Sequence, residues 1–456
     1  MHDTYQSPLV TRTASTEMSH IWSDNNKFKL WRGLWYELAA AQAALGIPIT
    51  PAQLAELAKA INIPINHAKA AEYEAKTNHD VMAHIKLLGD DAPSAAGIIH
   101  LGSTSQFVVD NADSIRIRSS IQLILSKLRS LVISVGTFAQ EHRSVATLAL
   151  THFQPATPTT VGRRAASWSY GLYLVYTELL AKFQNLRALG AKGATGTQAS
   201  FLELFSGDKE KVDELDRRVC RAIGFDEIYM LSGQTYPRVD DSVLTCLIAN
   251  LAAECQKITT DIRLLSGKGE MAESFSKDQV GSSAMPYKKN PLTCERVCGL
   301  SKFIIGLATS SLLVTSEQWL ERTLDDSSAR RLILPEAFLA IDGILESMNK
   351  IFKGLVINKR VIQAHLMDEI GFLVTEKVLM IACKHGADRQ KVHEAIKQCA
   401  LSCQGDTFLR ELQKLPELAS IDIAKECAAS SLIGLAEEQT IRYYSLVITQ
   451  LEGIKI

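Results

Sequence analysis

Three polar segments of this chain carry residue types that move protons and bind anions. The most informative runs from Gly281 to Pro291 and reads Gly-Ser-Ser-Ala-Met-Pro-Tyr-Lys-Lys-Asn-Pro. It holds two serine hydroxyls, Ser282 and Ser283, the ammonium of Lys288 and the amide of Asn290, but no acid. A Gly-Ser-Ser run can turn its backbone N–H groups inward as an anion nest, to which Lys288 adds a point charge. In that field Ser282 or Ser283 could take part in proton transfer. A serine is a very weak base unless its alkoxide is strongly stabilised, so the loop must close over substrate and exclude water. The alternative for the same residues is a solvated turn that ends in a helix N-cap.

The second segment runs from Thr151 to Thr160 and surrounds His152 with two prolines and several threonines. It reads either as a rigid, hydroxyl-rich pocket around a catalytic imidazole or as a turn before a helix starting near Thr160. The third combines Asn78-His79-Asp80 with His100-Leu101-Gly102-Ser103-Thr104-Ser105. His79 and His84 are five apart and share no helical face, which argues against a zinc pair there. Gly190, Gly193 and Gly196 suggest a phosphate loop, but the stretch lacks the Gly-Lys-Ser/Thr ending and a preceding strand. It reads as a flexible turn that could still offer N–H groups to an anion. Arg322, Asp325, Asp326, Ser327, Arg330 and Arg331 form a dense charge cluster, either a solvated helix end or a site for phosphate or carboxylate.

Long helices are expected to position these segments. Glycine and proline are scarce, 26 and 12 of 456 residues, and stretches 94–154, 159–236, 292–334 and 336–415 contain no proline. Proline costs about 3 kcal/mol inside a helix, so these gaps leave room for long ones. Apolar residues step by three and four through Ile121, Leu125, Leu128, Val132, Val135 and Ala139. The same step recurs through Trp168, Leu172, Val175, Leu179, Phe183 and Leu186, and from Leu244 through Leu251, Cys255, Ile258 and Ile262 to Leu265. No comparable period of two is present, so the pattern predicts an all-α fold whose long helices pack as a bundle. Proline spacing and helix length divide the chain into a helical domain at 1–104, a central long-helix domain at 105–357 and a helical domain at 358–456.

Composition narrows the function classes. With 49 Lys+Arg against 50 Asp+Glu, the formal net charge is -1, which argues against broad nucleic-acid or anionic-membrane binding. An apolar fraction of 46% with 22% charged residues fits an ordinary globular chain. The first residues, MHDTYQSPLVTR, lack the basic and apolar regions of a signal peptide, and no apolar run approaches the ~20 residues that span a bilayer. A cytoplasmic setting is therefore expected. The nine cysteines include no C-x-x-C pair and read as reduced, mostly buried thiols.

Taken together, the segments resemble the fumarase/aspartase superfamily, whose signature loop Gly-Ser-Ser-x-x-Pro-x-Lys-x-Asn-Pro is matched at every fixed position by 281–291. Within it the whole chain is similar to the adenylosuccinate lyase family, closest to its longer, animal-type branch. The resemblance is carried by His100-Leu101-Gly102, Thr151–Thr160, Lys192-Gly193 through Gln198-Ala199-Ser200-Phe201, Gly233-Gln234-Thr235-Tyr236 and Glu321–Asp326, with Tyr5, Ser7-Pro8-Leu9 and Arg12. It implies a β-elimination that releases fumarate from adenylosuccinate, giving AMP, and from the succinylaminoimidazolecarboxamide ribotide of purine biosynthesis. It implies Ser282 as the base, Lys288 and Asn290 on the succinyl carboxylate, and His152 as the general acid. His79, with its neighbours Asn78 and Asp80, would lie near the phosphate and help orient His152. Thr104, Ser105 and Gln234 would surround the succinyl group, and Arg12, Thr13, Arg296, Arg322, Ser327 and Arg331 the phosphate and nucleotide. The resemblance further implies no metal or organic cofactor, and a homotetramer around a twenty-helix core with each active site drawn from three subunits.

The sequence departs from the family pattern at two places. Thr13 stands where a tyrosine is common, which removes an aromatic contact, and Lys289 where arginine is common, which keeps charge but loses the planar fork. The competing reading within the superfamily is another lyase, such as argininosuccinate lyase or fumarase. Those enzymes lack the Gln154-Pro155-Ala156 context with Thr159-Thr160 and need no arginines for phosphate. A non-catalytic helical protein, like the lens crystallins of this superfamily, would not retain Ser282, Lys288 and His152 together.

Overall fold

The computed structural model describes residues 3–275, 280–403 and 406–453. Five long helices dominate it: Ser105–Glu141, Val161–Gln184, Val239–Gly267, Leu292–Ser316 and Asp325–Gly354. The periodic apolar residues form their buried stripes. Ile121, Leu128, Val132, Trp168, Leu172, Leu251, Cys255, Ile258 and Ile262 are all at most 1% exposed. The fold is all-α, as the periodicity predicts. All nine cysteines are free.

The chain divides into two compact units, one of residues 1–126, 175–253 and 300–346, the other of 127–174, 254–299 and 347–456. Each boundary falls inside one of the five long helices, so each helix gives part of its length to each unit. The first unit's core gathers Trp31, Trp35, Leu38, Val81, Phe107, Phe201 and Leu215. Its helices start where their sequences supply caps. Ser23 accepts from the Asn26 N–H at the head of Asp24–Ala44, and Thr50 with Gln53 forms a capping box before Pro51–Ala60. The second unit's core is built from Leu366, Leu373, Val378, Val392, Phe408 and Leu412, with Leu148 added from a strand.

That strand belongs to a feature the sequence pattern did not announce. Ala146–Thr151 pairs antiparallel with Gln154–Thr160, with an extra residue on the second strand between the Thr147–Thr159 and Ala149–Ala156 pairs. The helix that follows starts at Val161, close to the expected Thr160. A second difference is Pro335, which lies inside the Asp325–Gly354 helix and does not end it. A proline there removes the N–H that would bond to the carbonyl four residues earlier, which belongs to Arg331.

Two helices, Ser105–Glu141 and Leu292–Ser316, have the length and apolar content of a membrane span, with mean hydropathy 1.4 and 1.8 in their best windows. The expectation from uninterrupted apolar runs did not register them, because single polar residues break the runs without lowering the mean. Half of the first window is buried in the chain, and only a third of the second.

One buried and one half-buried histidine make the first unit sensitive to acid. His84 stacks on Phe28, with ring centroids 3.7 Å apart, and His100 accepts a hydrogen bond at Nδ1 from Trp35 Nε1 at 2.9 Å. Burial, helped by Lys27 and Arg32, lowers His84 to about 4; burial, helped by His79, lowers His100 to about 4. Between pH 6.5 and 4 the unfolded chain therefore binds more protons than the folded one, and stability must fall as pH drops through that window. The two histidines together should cost on the order of a few kcal/mol by pH 4. Chemical denaturation as a function of pH should show a plateau above pH 7 and a decline below 6.5 that His84→Phe makes shallower. An equal decline in the variant would remove His84 from the account.

Candidate active site

In the first unit, a left-handed corner builds the Asn78-His79-Asp80 segment. Asn78 ends the His67–Thr77 helix at φ 54° and ψ 31°, a conformation that asparagine tolerates better than most residues. His79 is extended, and Asp80 opens the next helix, Asp80–Asp91. His79 Nε2 lies 3.1 Å from Ser105 Oγ, at the first residue of the Ser105–Glu141 helix, with Thr104 just before it. Its Nδ1 is 3.5 Å from Asp80 Oδ1, and the other oxygen of Asp80 accepts from Arg331 Nη2 at 2.7 Å. His79, Asp80, Ser105 and Arg331 thus form one connected set, with Asp80 and Ser105 at the heads of two helices, where orphan N–H groups favour anions, and Arg331 in the second turn of a third.

The charge cluster at 322–331 splits by direction. Arg330 is buried, donating to Asp241 Oδ2 at 2.7 Å and to the Tyr236 hydroxyl at 2.6 Å, while Arg331 is 59% exposed. Asp326 is fully buried and bridges Arg238 Nε at 2.7 Å and Arg322 Nη1 at 2.6 Å. Burial would raise its carboxyl, but Arg238 and Arg322 hold it below the usual range. A phosphate or carboxylate site in this cluster is therefore open to Arg331 and not to Arg330, whose charge is spent on the core. Ser327 is half-buried in the first turn of the same helix.

The glycine-rich stretch is not the flexible turn its composition suggests. Lys192 is buried and ion-paired with Asp216, whose other oxygen accepts from the Ala191 N–H at 2.7 Å. Gly196 sits at φ 81°, and a Cβ there would come within 1.9 Å of the Ser232 carbonyl oxygen. The close approach brings in Gln234, which donates from Nε2 to Ala194 O at 3.1 Å and from its backbone to Glu321 O at 3.0 Å, next to Arg322. Arg12 and Thr13 are placed by Gly343: a Cβ at Gly343 would lie 2.3 Å from Thr13 Cγ2. Ser15 N–H also donates to Asp342 at 2.7 Å. Arg12 is exposed.

His152, Ser282, Lys288, Asn290 and Arg296 belong to the second unit. His152 and Phe153 are the two central residues of the hairpin turn, at φ 54° and 60°. Such a turn normally takes Asn-Gly, and non-glycine residues in it are strained by ~1–2 kcal/mol each. Strain of this kind persists where surrounding structure enforces it, and Thr157 Oγ1 to Glu376 at 2.7 Å and Arg164 Nη2 to Leu148 O at 2.8 Å both fasten the strands. The imidazole is exposed at the tip. No contact among the described residues joins it to another candidate.

The signature loop is a closed ring. Asn290 Nδ2 donates to Gly281 O at 3.0 Å, and a Cβ on Gly281 would lie 2.1 Å from the Lys288 carbonyl oxygen. Ser282 and Ser283 are distinguishable here. Ser282 is half-buried and its Oγ accepts from the backbone N–H groups of Ala284 at 3.3 Å and Met285 at 3.1 Å, while Ser283 is exposed. Lys288 and Arg296 are exposed, the latter in the second turn of Leu292–Ser316. Sequence reasoning missed one residue of this region, Glu273, whose carboxylate accepts from two N–H groups of that helix.

Known proteins share this fold and this sequence pattern. The solved structure of a fumarate lyase from Mesorhizobium sp. BNC1 superposes with a TM-score of 0.84 over 99% of this chain and 100% of that one, at 21% identity, a likeness of fold. The sequence model of the family described as Lyase matches residues 12–306, and these results define a lyase of that superfamily. The model described as the adenylosuccinate lyase C-terminus matches residues 371–443. The adenylosuccinate lyase of Schizosaccharomyces pombe is 41% identical over 98% of this chain and 96% of its own length. That of Saccharomyces cerevisiae is 43% identical over 90% and 85%. The chain belongs to the adenylosuccinate lyase family.

Proposed function

We propose that this chain eliminates fumarate from adenylosuccinate, giving AMP, and from the succinylaminoimidazolecarboxamide ribotide, as a cytoplasmic homotetramer. Ser282 removes the carbon-bound proton beside a succinyl carboxylate, building an aci-carboxylate with two negative oxygens. The electron pair then forms the fumarate double bond as the C–N bond breaks, and His152 protonates the leaving nitrogen. The single observation that carries this assignment is the pair of backbone N–H groups on Ser282 Oγ, because donors aimed at an oxygen favour its anionic form. Lys288 and Asn290, beside Thr104, Ser105 and Gln234, bind the succinyl end. Stabilising developing charge by preorganised donors is typically the largest catalytic contribution, about 10²–10³ per donor. Arg12, Thr13, Asn78, Asp80, Arg296, Arg322, Ser327 and Arg331 hold the phosphate and nucleotide, and His79, bridged to Ser105, orients the acid. No metal or organic cofactor is required by these steps.

The tetramer is supported by the exposed apolar residues of the Leu292–Ser316 helix. Cys294, Val297, Ile304 and Ala308 are buried within the chain, yet Phe303, Ile305, Leu312 and Leu313 are 40–62% exposed. Exposed apolar faces of this kind mark protein contacts. In this arrangement the central domain, 105–357, supplies the twenty-helix core, and 1–104 and 358–456 flank it. Each site combines residues of three subunits, so His152 needs no contact with Ser282 in its own chain.

Incubation with adenylosuccinate or argininosuccinate, with chelator present, separates the candidate lyases. Fumarate is expected from adenylosuccinate alone. Release from argininosuccinate alone would transfer the chain to the competing reading.

A further inference from the structure

The loop that carries Ser282 is fastened at its base by a residue outside the signature. Pro291, the residue before the Leu292–Ser316 helix, has no side-chain acceptor, and the amide of Asn290 is engaged at the neck of the loop with Gly281. The helix therefore starts without a cap from its own sequence. Glu273, nineteen residues before Leu292, supplies one: Oε2 accepts from Thr293 N–H at 3.2 Å and Oε1 from Cys294 N–H at 2.7 Å. These are the positions at which an N-cap side chain normally acts, and a carboxylate there also meets the positive end of the helix. The Cys294 side chain is fully buried, and burial, with the Glu273 carboxylate beside it, pushes that thiol up.

Two further contacts belong to the same stem. A Cβ on Gly281 would lie 3.1 Å from the Phe275 ring, and Lys289 Nζ is 5.7 Å from that ring's centroid. Beside the stem lies a cavity of about 560 Å³ lined by Met271, Glu273, Phe275, Lys289, Asn290 and Asn358, among others. Among the described residues, one side of the stem borders this cavity.

We propose that Glu273 is a positioning residue of the elimination: it fastens the stem of the loop to the start of the Leu292–Ser316 helix and so sets where Ser282 stands. The proposal rests on the reading of Ser282 as the base. A misplacement of about 1 Å at a reacting group can cost ~10²-fold in rate. Glu273→Gln keeps the size but sets an amide NH₂ against a backbone N–H, and is expected to lower kcat about 10- to 100-fold with a smaller change in KM. Glu273→Asp keeps the charge and should recover part of the loss.

The experiment measures kcat for wild type, Glu273→Gln, Ser282→Ala and the double variant, with amide hydrogen exchange followed at 280–294. If Glu273 acts through the loop, the double variant matches Ser282→Ala within about twofold, because no base is left to misplace. Exchange in 280–294 should be faster in Glu273→Gln and unchanged in the cores. An equal proportional loss in both backgrounds, or wild-type kcat and exchange in Glu273→Gln, overturns the proposal. Full turnover in Ser282→Ala would instead refute the base assignment, and the exchange measurement would still decide whether Glu273 holds the loop.

Discussion

Ser282→Ala is expected to lower kcat on adenylosuccinate by about 10²–10⁴-fold, with Ser283→Ala costing less than about tenfold. The two hydroxyls are neighbours in one loop, and composition cannot separate them. The distinction comes from the backbone. The loop turns back after Ser282, so that the N–H groups of Ala284 and Met285 both point at its Oγ. Removing that oxygen removes the base and leaves two donors without an acceptor. Ser283 accepts neither and faces outward. Steady-state rates for both variants, with tetramer content checked for each, provide the comparison. Equal losses, or a larger loss at Ser283, would show that the loop is rearranged when substrate binds and would move the base.

His152→Asn should lose about 10²–10⁴-fold in kcat while the protein remains at least as stable as wild type. Most active-site substitutions confound chemistry with folding, and this one separates them. His152 occupies φ 54° in a two-residue turn, and asparagine is among the few residues that enter that region readily. The substitution keeps the turn and deletes only the proton. The strands stay fastened by Thr157 with Glu376 and by Arg164 with Leu148. The losses should fall on kcat more than on KM, since a general acid acts in the transition state and not in binding. A large fall in melting temperature with a small change in kcat would reverse the roles and make His152 a structural turn residue.

The fold was legible where one physical rule acted alone. A period of 3.6 over many turns marks a buried helix face whatever it packs against, and Ile121 to Ala139 and Leu244 to Leu265 obey it. The hairpin at 146–160 was hidden because its second strand contains Pro155 and Pro158, which lower strand propensity, and because His-Phe replaces the usual Asn-Gly at the turn. Pro335 misled in the opposite sense, since tertiary packing can absorb one lost helical bond. Among the site residues, sequence marked the signature loop and the Asn78-His79-Asp80 corner because both interrupt helices with polar residues. It could not orient Arg330 against Arg331, since neighbours on a helix point about 100° apart and only the packed structure says which points inward. It could not find Glu273, because a cap supplied from nineteen residues away follows no local spacing.

The central claim is that one elimination site is built from His152 of one subunit and Ser282 of another. The most direct measurement mixes the two inactive variants, His152→Asn and Ser282→Ala, under conditions that exchange subunits. Each alone should be nearly silent. If the two residues serve the same site from different chains, random mixing regenerates about a quarter of the sites with both intact, and activity rises to that fraction of wild type. If both residues must come from one chain, the mixture stays as inactive as its parts although the subunits have exchanged, and the account is contradicted.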